Sequence, residues 1–358
     1  MKRLSPRSIV LFTVFPIATA VLLASVRPGA SGRTLDPERP RVRLIATGGS
    51  ISARPDGTRL TADELVGRVP ELHDYVRPEW EQFSNVASSA MSLEQWVRLA
   101  RRINQLFERD AELHGIVITA GTDTLEELAY FLHLAVHSER PVVLAGAMRT
   151  PDSVDFDGPA NLLAAFRTAA HDDALHKGVL VVMNGEINSA REVVKTDAQR
   201  LDAFQSPQYG ALGAVDAERV RFTRAPSRRH TTESEFDLSS MTALPRVDIL
   251  LFYQDANPDL VRSAIDLGAQ GLVLAVAGAD TTAGSLGPGL IEAARRGIPL
   301  VLSTRTGGGR ISHLGGGPGP GDFIAADDLP PLKARILLAL ALTRRATPAT
   351  IRRMFEEY

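Results

Sequence analysis

Short runs of β-branched and aliphatic residues recur along this chain, and most are followed by a longer segment whose apolar positions return every three or four residues. The runs at 42–46, 116–119, 142–144, 179–183, 247–252, 272–276 and 300–303 are almost wholly apolar. That is the character of strands covered on both faces, as in a parallel sheet. Helix patterns lie between them at 93–108, 124–134, 159–170, 260–267, 290–296 and 332–342. Ser92-Leu93-Glu94-Gln95 opens the first as a capping box, in which Ser and Gln each satisfy an N–H that a helix start leaves bare. Thr347-Pro348 reads as a cap and a first-turn proline for a last helix. Alternation of this kind predicts an α/β protein with a doubly wound, mainly parallel sheet. The polar stretch 224–245 has no strand run and reads as a linker. It separates a larger N-terminal domain over 41–223 from a smaller C-terminal α/β domain over 246–358. The Gly/Pro-rich stretch 307–321 reads as a loop.

Composition narrows the function. At roughly 150 residues per domain, 358 residues suit two domains. Forty Lys and Arg balance 42 Asp and Glu, which excludes the broad basic surface of a nucleic-acid binder. Cysteine is absent, so disulfides, thiolate nucleophiles and Cys-ligated metal centres are excluded. At the N-terminus Lys2, Arg3 and Arg7 precede an apolar run at 9–26 and then small residues at 28–32. This layout predicts a secretory signal over 1–32; an uncleaved anchor is the other reading, because the run is near the shortest that spans a bilayer. Export is favoured, giving a periplasmic or secreted product with no membrane contact beyond that possible anchor.

In open α/β sheets, sites form beyond the carboxyl ends of the strands. The first three runs lead into Thr47-Gly48-Gly49-Ser50, Ala120-Gly121-Thr122-Asp123-Thr124 and Gly146-Ala147-Met148-Arg149. Hydroxyls beside glycines can act as nucleophile and proton relay, with nearby backbone N–H groups for an oxyanion. Each piece also has a plainer reading. Thr47–Ser50 could be a tight turn or a weak phosphate cradle, but G-x-G-x-x-G and a P-loop lysine are both missing. Asp123 alone reads as a helix cap, Lys195 alone as a solvated lysine, and Gly278-Ala279-Asp280 with Thr281-Thr282 as a loop. The eight histidines show no ligand spacing, so neither metal nor cofactor is expected. From the residues alone, a hydroxyl-dependent hydrolase and a small-molecule binder both stand.

These segments, in this order, resemble the bacterial L-asparaginase family in its exported type II branch, which includes asparaginase-glutaminases. IATGGSIS at 45–52 is similar to the first family signature, and GIVITAGTDTLEELAYFL at 115–132 to the second. PVVLAGAMR, DGPANL, VLVVMN, REVVKTDAQRLDAFQSPQYGALG and KARILLALAL follow at family-like positions. The resemblance covers nearly everything after residue 41. It implies two α/β domains and a homotetramer built from intimate dimers, each site taking some residues from a neighbour's C-terminal domain. The implied reaction is hydrolysis of the side-chain amide of L-asparagine to L-aspartate and ammonia through an acyl-enzyme, without cofactor.

Carried over by position, Ser50 falls at the nucleophile, Thr122 at the second catalytic hydroxyl, Asp123 at the acid beside it and Lys195 at the lysine of that relay. Ser88, followed by Ser89, falls at a substrate-carboxylate site, and Asp123 also meets the substrate ammonium. Burial would lower the Lys195 pKa while Asp123 would raise it, so the pair is expected to act as a coupled unit through Thr122. The chain departs from the family in several places. Ser50 stands for Thr, which frees χ1. No Tyr occurs in the shortened lid at 52–60, and Ala120 replaces a His. Ala279 takes the place of a substrate-facing Asn, and 307–321 holds no Glu to donate across a dimer. Loss of positioned acid–base groups costs about 10²–10⁴ in rate. An amidohydrolase on another small amide such as L-glutamine, or a weakly catalytic amino-acid-binding paralogue, therefore stands as the alternative.

Overall fold

The apolar runs all become strands in the computed structural model, which describes residues 38–278, 284–312 and 323–358. The leader at 1–32, the loop residues 279–282 and most of the Gly/Pro-rich loop fall outside these. The larger sheet begins with β1 (Arg41–Gly48), β2 (Arg77–Val86), β3 (Leu113–Thr119), β4 (Val142–Ala145), β5 (Val179–Met183) and β6 (Glu186–Ser189). A separate antiparallel ribbon, β7 (Val194–Lys195) with β8 (Phe204–Gln205), precedes its last strands, β9 (Gly213–Val215) and β10 (Val220–Phe222). The spatial order is β2-β1-β3-β4-β5-β6-β9-β10. Pairings from β2 through β5 are parallel, and those from β5 onward through β6, β9 and β10 are antiparallel.

Among the described residues, five helices cover this sheet. On one face lie α1 (Ala62–Gly67), α2 (Leu72–Tyr75) and, later in the chain, α5; on the other lie α3 (Leu93–Arg109) and α4 (Leu125–Ala135), while α5 spans Gly158–Ala169. The strands alternate accordingly: Val42, Leu44 and Ala46 join the first layer and Ile45 the second, as a period of two requires. The capping box at Ser92 and Gln95 is present, and so is the Thr347 cap before Pro348.

The second sheet is parallel throughout: β11 (Val247–Leu251), β12 (Gly271–Val276), β13 (Leu300–Thr304) and β14 (Ile324–Ala325). One face carries α6 (Asp259–Asp266) and α7 (Gly287–Arg295). The other is covered by α8 (Pro331–Thr343), whose buried residues lie all round it, and α9 (Pro348–Glu357) follows. A helix apolar on every side must be enclosed. α8 meets that demand by lying between the second sheet and α4, itself buried along its whole length. Between the sheets, residues 224–245 form no strand or α-helix and make one 3-10 turn, Thr231–Glu233; Phe236 and Leu238 within this stretch are buried. Among the described residues, no helix is long and apolar enough to cross a membrane.

Candidate active site

From β1 the chain steps to β2 on one side and returns to β3 on the other. This reversal leaves a crevice beyond the carboxyl ends of β1 and β3, the place where open α/β sheets hold their ligands. The two glycine turns meet there. Gly48 and Gly49 take φ of +107° and +88°, a region that residues with a Cβ rarely enter. A Cβ on Gly49 would lie 2.2 Å from the Gly121 nitrogen, and one on Gly121 would lie 2.6 Å from Ser88 Oγ. Glycine at both positions therefore brings the segments after β1, β2 and β3 into contact. Hydroxyls tie the strand ends together: Thr47 Oγ1 donates to the Thr119 carbonyl at 2.7 Å and Ser84 Oγ to the Thr47 carbonyl at 2.8 Å.

Ser50 follows Gly49 and is half-buried. Its Oγ donates to the Ala147 carbonyl at 2.5 Å, so the hydroxyl proton is directed at the main chain beyond β4. The short lid closes as a small hairpin, bridged between Ala53 and Arg59, and Leu60 N–H returns to the Ser52 carbonyl at 2.8 Å. Arg59 Nη1 and Ser52 Oγ both donate to the Gly49 carbonyl at 3.0 Å, and that peptide unit carries the Ser50 nitrogen. Segment 52–60 thus reaches the turn that carries Ser50 through an arginine and a serine.

Thr122 is buried, and Lys195 Nζ donates to its Oγ1 at 3.0 Å. Asp123 Oδ1 lies 3.6 Å from the same ammonium; the side chains are 19% exposed for Lys195 and 71% for Asp123. The cap position of α4 falls on Thr124, with no side-chain cap bond, so Asp123 faces solvent and Lys195 instead of capping the helix. Thr122 Cγ2 lies beside Gly146 and Ser50 Oγ bonds Ala147, so both hydroxyl residues border the exit of β4. Ser88 is half-buried against Gly121, while Ser89 is exposed. Ala120, where the family has His, is buried.

Lys195 is held from behind. Thr196 N–H bonds the Ala203 carbonyl across the ribbon, which turns the Lys195 N–H the other way. Glu126, in the first turn of α4, lines the same cavity as Lys195. Burial pushes the Glu126 carboxyl above its ordinary range, opposed by Lys333. Upstream, Arg191 makes a buried two-pronged pair with Asp328 at 3.0 and 2.7 Å. Burial pushes Asp328 up, but Arg191 outweighs it and holds the carboxyl at about 2. Lys195 and Asp123 border an open recess of about 380 Å³. A cavity of about 600 Å³ runs from Lys195 and Glu126 to Thr304 and Thr306 at the end of β13, within the range of small-molecule sites. Among the described residues, no three His, Cys, Asp or Glu side chains converge as a metal group would need.

The sequence points to Ser50, Thr122, Asp123 and Lys195 but not to the Ala147 carbonyl, Arg59 or the place of Glu126 on the cavity wall. A main-chain acceptor leaves no mark in residue type. The Arg59 and Glu126 contacts depend on how separate segments meet.

Family models and relatives both match this chain. The family model "Asparaginase, N-terminal" matches residues 41–228, and "Glutaminase/Asparaginase C-terminal domain" matches residues 246–355. The chain is 38% identical over 328 residues to L-asparaginase 2 of Bacillus subtilis (strain 168), covering 89% of this chain and 87% of that protein. It is 33% identical over 369 aligned positions to the glutaminase-asparaginase of Pseudomonas fluorescens biotype A, covering 100% and 99%. The crystal structure of a probable cytoplasmic L-asparaginase from Campylobacter jejuni superposes with a TM-score of 0.84 at 38% identity, covering 89% of this chain and all of that one. On this match in both sequence and fold, the chain belongs to the asparaginase family.

Proposed function

We propose that this protein hydrolyses the side-chain amide of L-asparagine to L-aspartate and ammonia. The observation that carries the reading is the Lys195 ammonium, 3.0 Å from Thr122 Oγ1 and 3.6 Å from Asp123, beside the crevice that Ser50 enters. In this reading Ser50 Oγ leaves the Ala147 carbonyl, attacks the carboxamide carbon and gives its proton to the departing nitrogen, which leaves as ammonia. Water then cleaves the resulting ester, releases L-aspartate and restores the Ser50 hydroxyl. Thr122, Asp123 and Lys195 form the proton relay, because a hydroxyl near its free pKa needs a base within reach. Ser88 and Ser89 receive the substrate carboxylate, and Asp123 the ammonium.

The test is a coupled ammonia assay on the full chain over a panel of small amides. L-asparagine is expected to be turned over, with Ser50→Ala and Lys195→Ala each lowering kcat by about 10²–10⁴. Release unchanged by both substitutions would sink the assignment. A second reading, with L-glutamine as a further substrate, is favoured by the glutaminase-asparaginase relative, and the same panel reads it. The lid without tyrosine favours a weakly catalytic amino-acid binder; L-aspartate bound with no amide turned over would select it.

The same reading carries a division into domains at 41–223 and 246–358 joined by 224–245, and a homotetramer of intimate dimers. It also carries export directed by residues 1–32. Light scattering after size exclusion, and N-terminal sequencing of protein recovered outside the cytoplasm, test assembly and export in turn.

A further inference from the structure

We infer that Lys333 of α8 is a positioning residue for Lys195, holding through three carbonyl groups the segment that carries Lys195 to Thr122. The inference rests on the role given to Lys195 above. Lys333 is fully buried, a place an ammonium occupies only when its donors are satisfied. It has three N–H donors, and all go to one short stretch of chain: the carbonyls of Ala190 and Arg191, each at 2.9 Å, and that of Val193. No carboxylate bonds it directly among the described residues; Glu126 acts on it through space, as do Arg191, Glu192 and Asp328.

The curled segment at 190–193 ends two residues before Lys195. From there the chain runs to Lys195, whose Nζ donates to Thr122 Oγ1 just before α4. The two helices are themselves joined by Arg335 of α8 and Glu127 of α4, 3.1 Å apart. Lys195 therefore stands between a carbonyl clamp governed by α8 and the residues just before α4, Thr122 and Asp123, that its ammonium meets. Moving the clamp moves the height at which Nζ meets Thr122 Oγ1. Burial pushes the Lys333 ammonium down, to about 7, with Glu126 opposing. The carbonyl cage thus has to favour the charged form if the clamp is to hold.

The full chain is assayed on L-asparagine beside Lys195→Ala as reference. Lys333→Met keeps the length of the side chain and removes its donors. It is expected to lower kcat at least about tenfold, since a displacement of an ångström costs about a hundredfold. KM should stay within about twofold, and L-aspartate should bind with full stoichiometry in calorimetry. A purely structural role would instead lower the number of binding sites, or weaken L-aspartate, in step with activity, and that result overturns the inference. Stranding three buried carbonyls is destabilising, so Lys333→Gln, which keeps two donors, is the second variant, with an intermediate kcat expected at unchanged KM. If either folded variant keeps kcat within about twofold of the parent while Lys195→Ala is impaired, positioning by Lys333 is wrong and the reading of the site survives. An unimpaired Lys195→Ala removes that reading itself.

Discussion

Gly49 combines two constraints that a side chain cannot meet together. Its φ of +88° disfavours any Cβ, and the space a Cβ would fill is taken by the Gly121 main chain at 2.2 Å. Backbone does not yield as a flexible side chain does, so Gly49→Ala must push the turn that carries Ser50 away from Thr122. A shift of an ångström at a reacting group costs about a hundredfold. Gly49→Ala is accordingly expected to lose about that much kcat, with a fall in stability of about 1–3 kcal/mol that leaves the chain folded in thermal melts. Parent-like turnover would show that the turn is looser than its glycines suggest. Candidate chemistry was legible at this scale because hydroxyls on glycine turns are written in residue types. The bond from Ser50 Oγ to the Ala147 carbonyl was not, because any residue at 147 offers the same oxygen.

The fully apolar runs announced the buried parallel strands, because covering both faces forces both faces to be apolar. β2 escaped that reading. It lies at the sheet edge, with Glu79 and Glu81 along it paired to Arg41, Arg43 and Arg102, and charge on an edge is how a sheet avoids pairing with another chain. The turn from β5 to β6 is written in residue types: Asn184 and Gly185 both have positive φ, the signature of a tight hairpin. A different contact sets the acid limit of the region before Lys195. Asp328, held at about 2 against an ordinary 3.8, adds stability that is whole above about pH 4 and is lost as pH falls toward 2, worth about 2 kcal/mol. In urea unfolding, Asp328→Asn is expected to trail the parent most at neutral pH, with the gap narrowing by about that amount near about pH 2. A gap independent of pH would mean that the carboxylate keeps its ordinary pKa in the fold.

Only the three-dimensional packing shows that the two sheets share one core. Ile336, Leu337 and Leu338 of α8 belong to the same buried cluster as Leu128 and Phe131 of α4 and as Val273 and Val301 of the second sheet. A sequence read element by element assigns α8 to the C-terminal domain, whereas in the fold it serves as much as a wall for the larger sheet's helices. Shared apolar surface ties the unfolding of one lobe to that of the other. Leu338 is fully buried beside Gly271, so Leu338→Ala is expected to cost about 2–5 kcal/mol. Both tryptophans, Trp80 and Trp96, lie in the larger lobe, so their fluorescence reports that lobe while far-UV circular dichroism reports the whole chain. If the core is continuous, the substitution moves both transitions to the same lower urea concentration. A fluorescence transition left in place while the dichroism splits into two steps would show that the lobes unfold independently, with α8 stabilising only its own sheet.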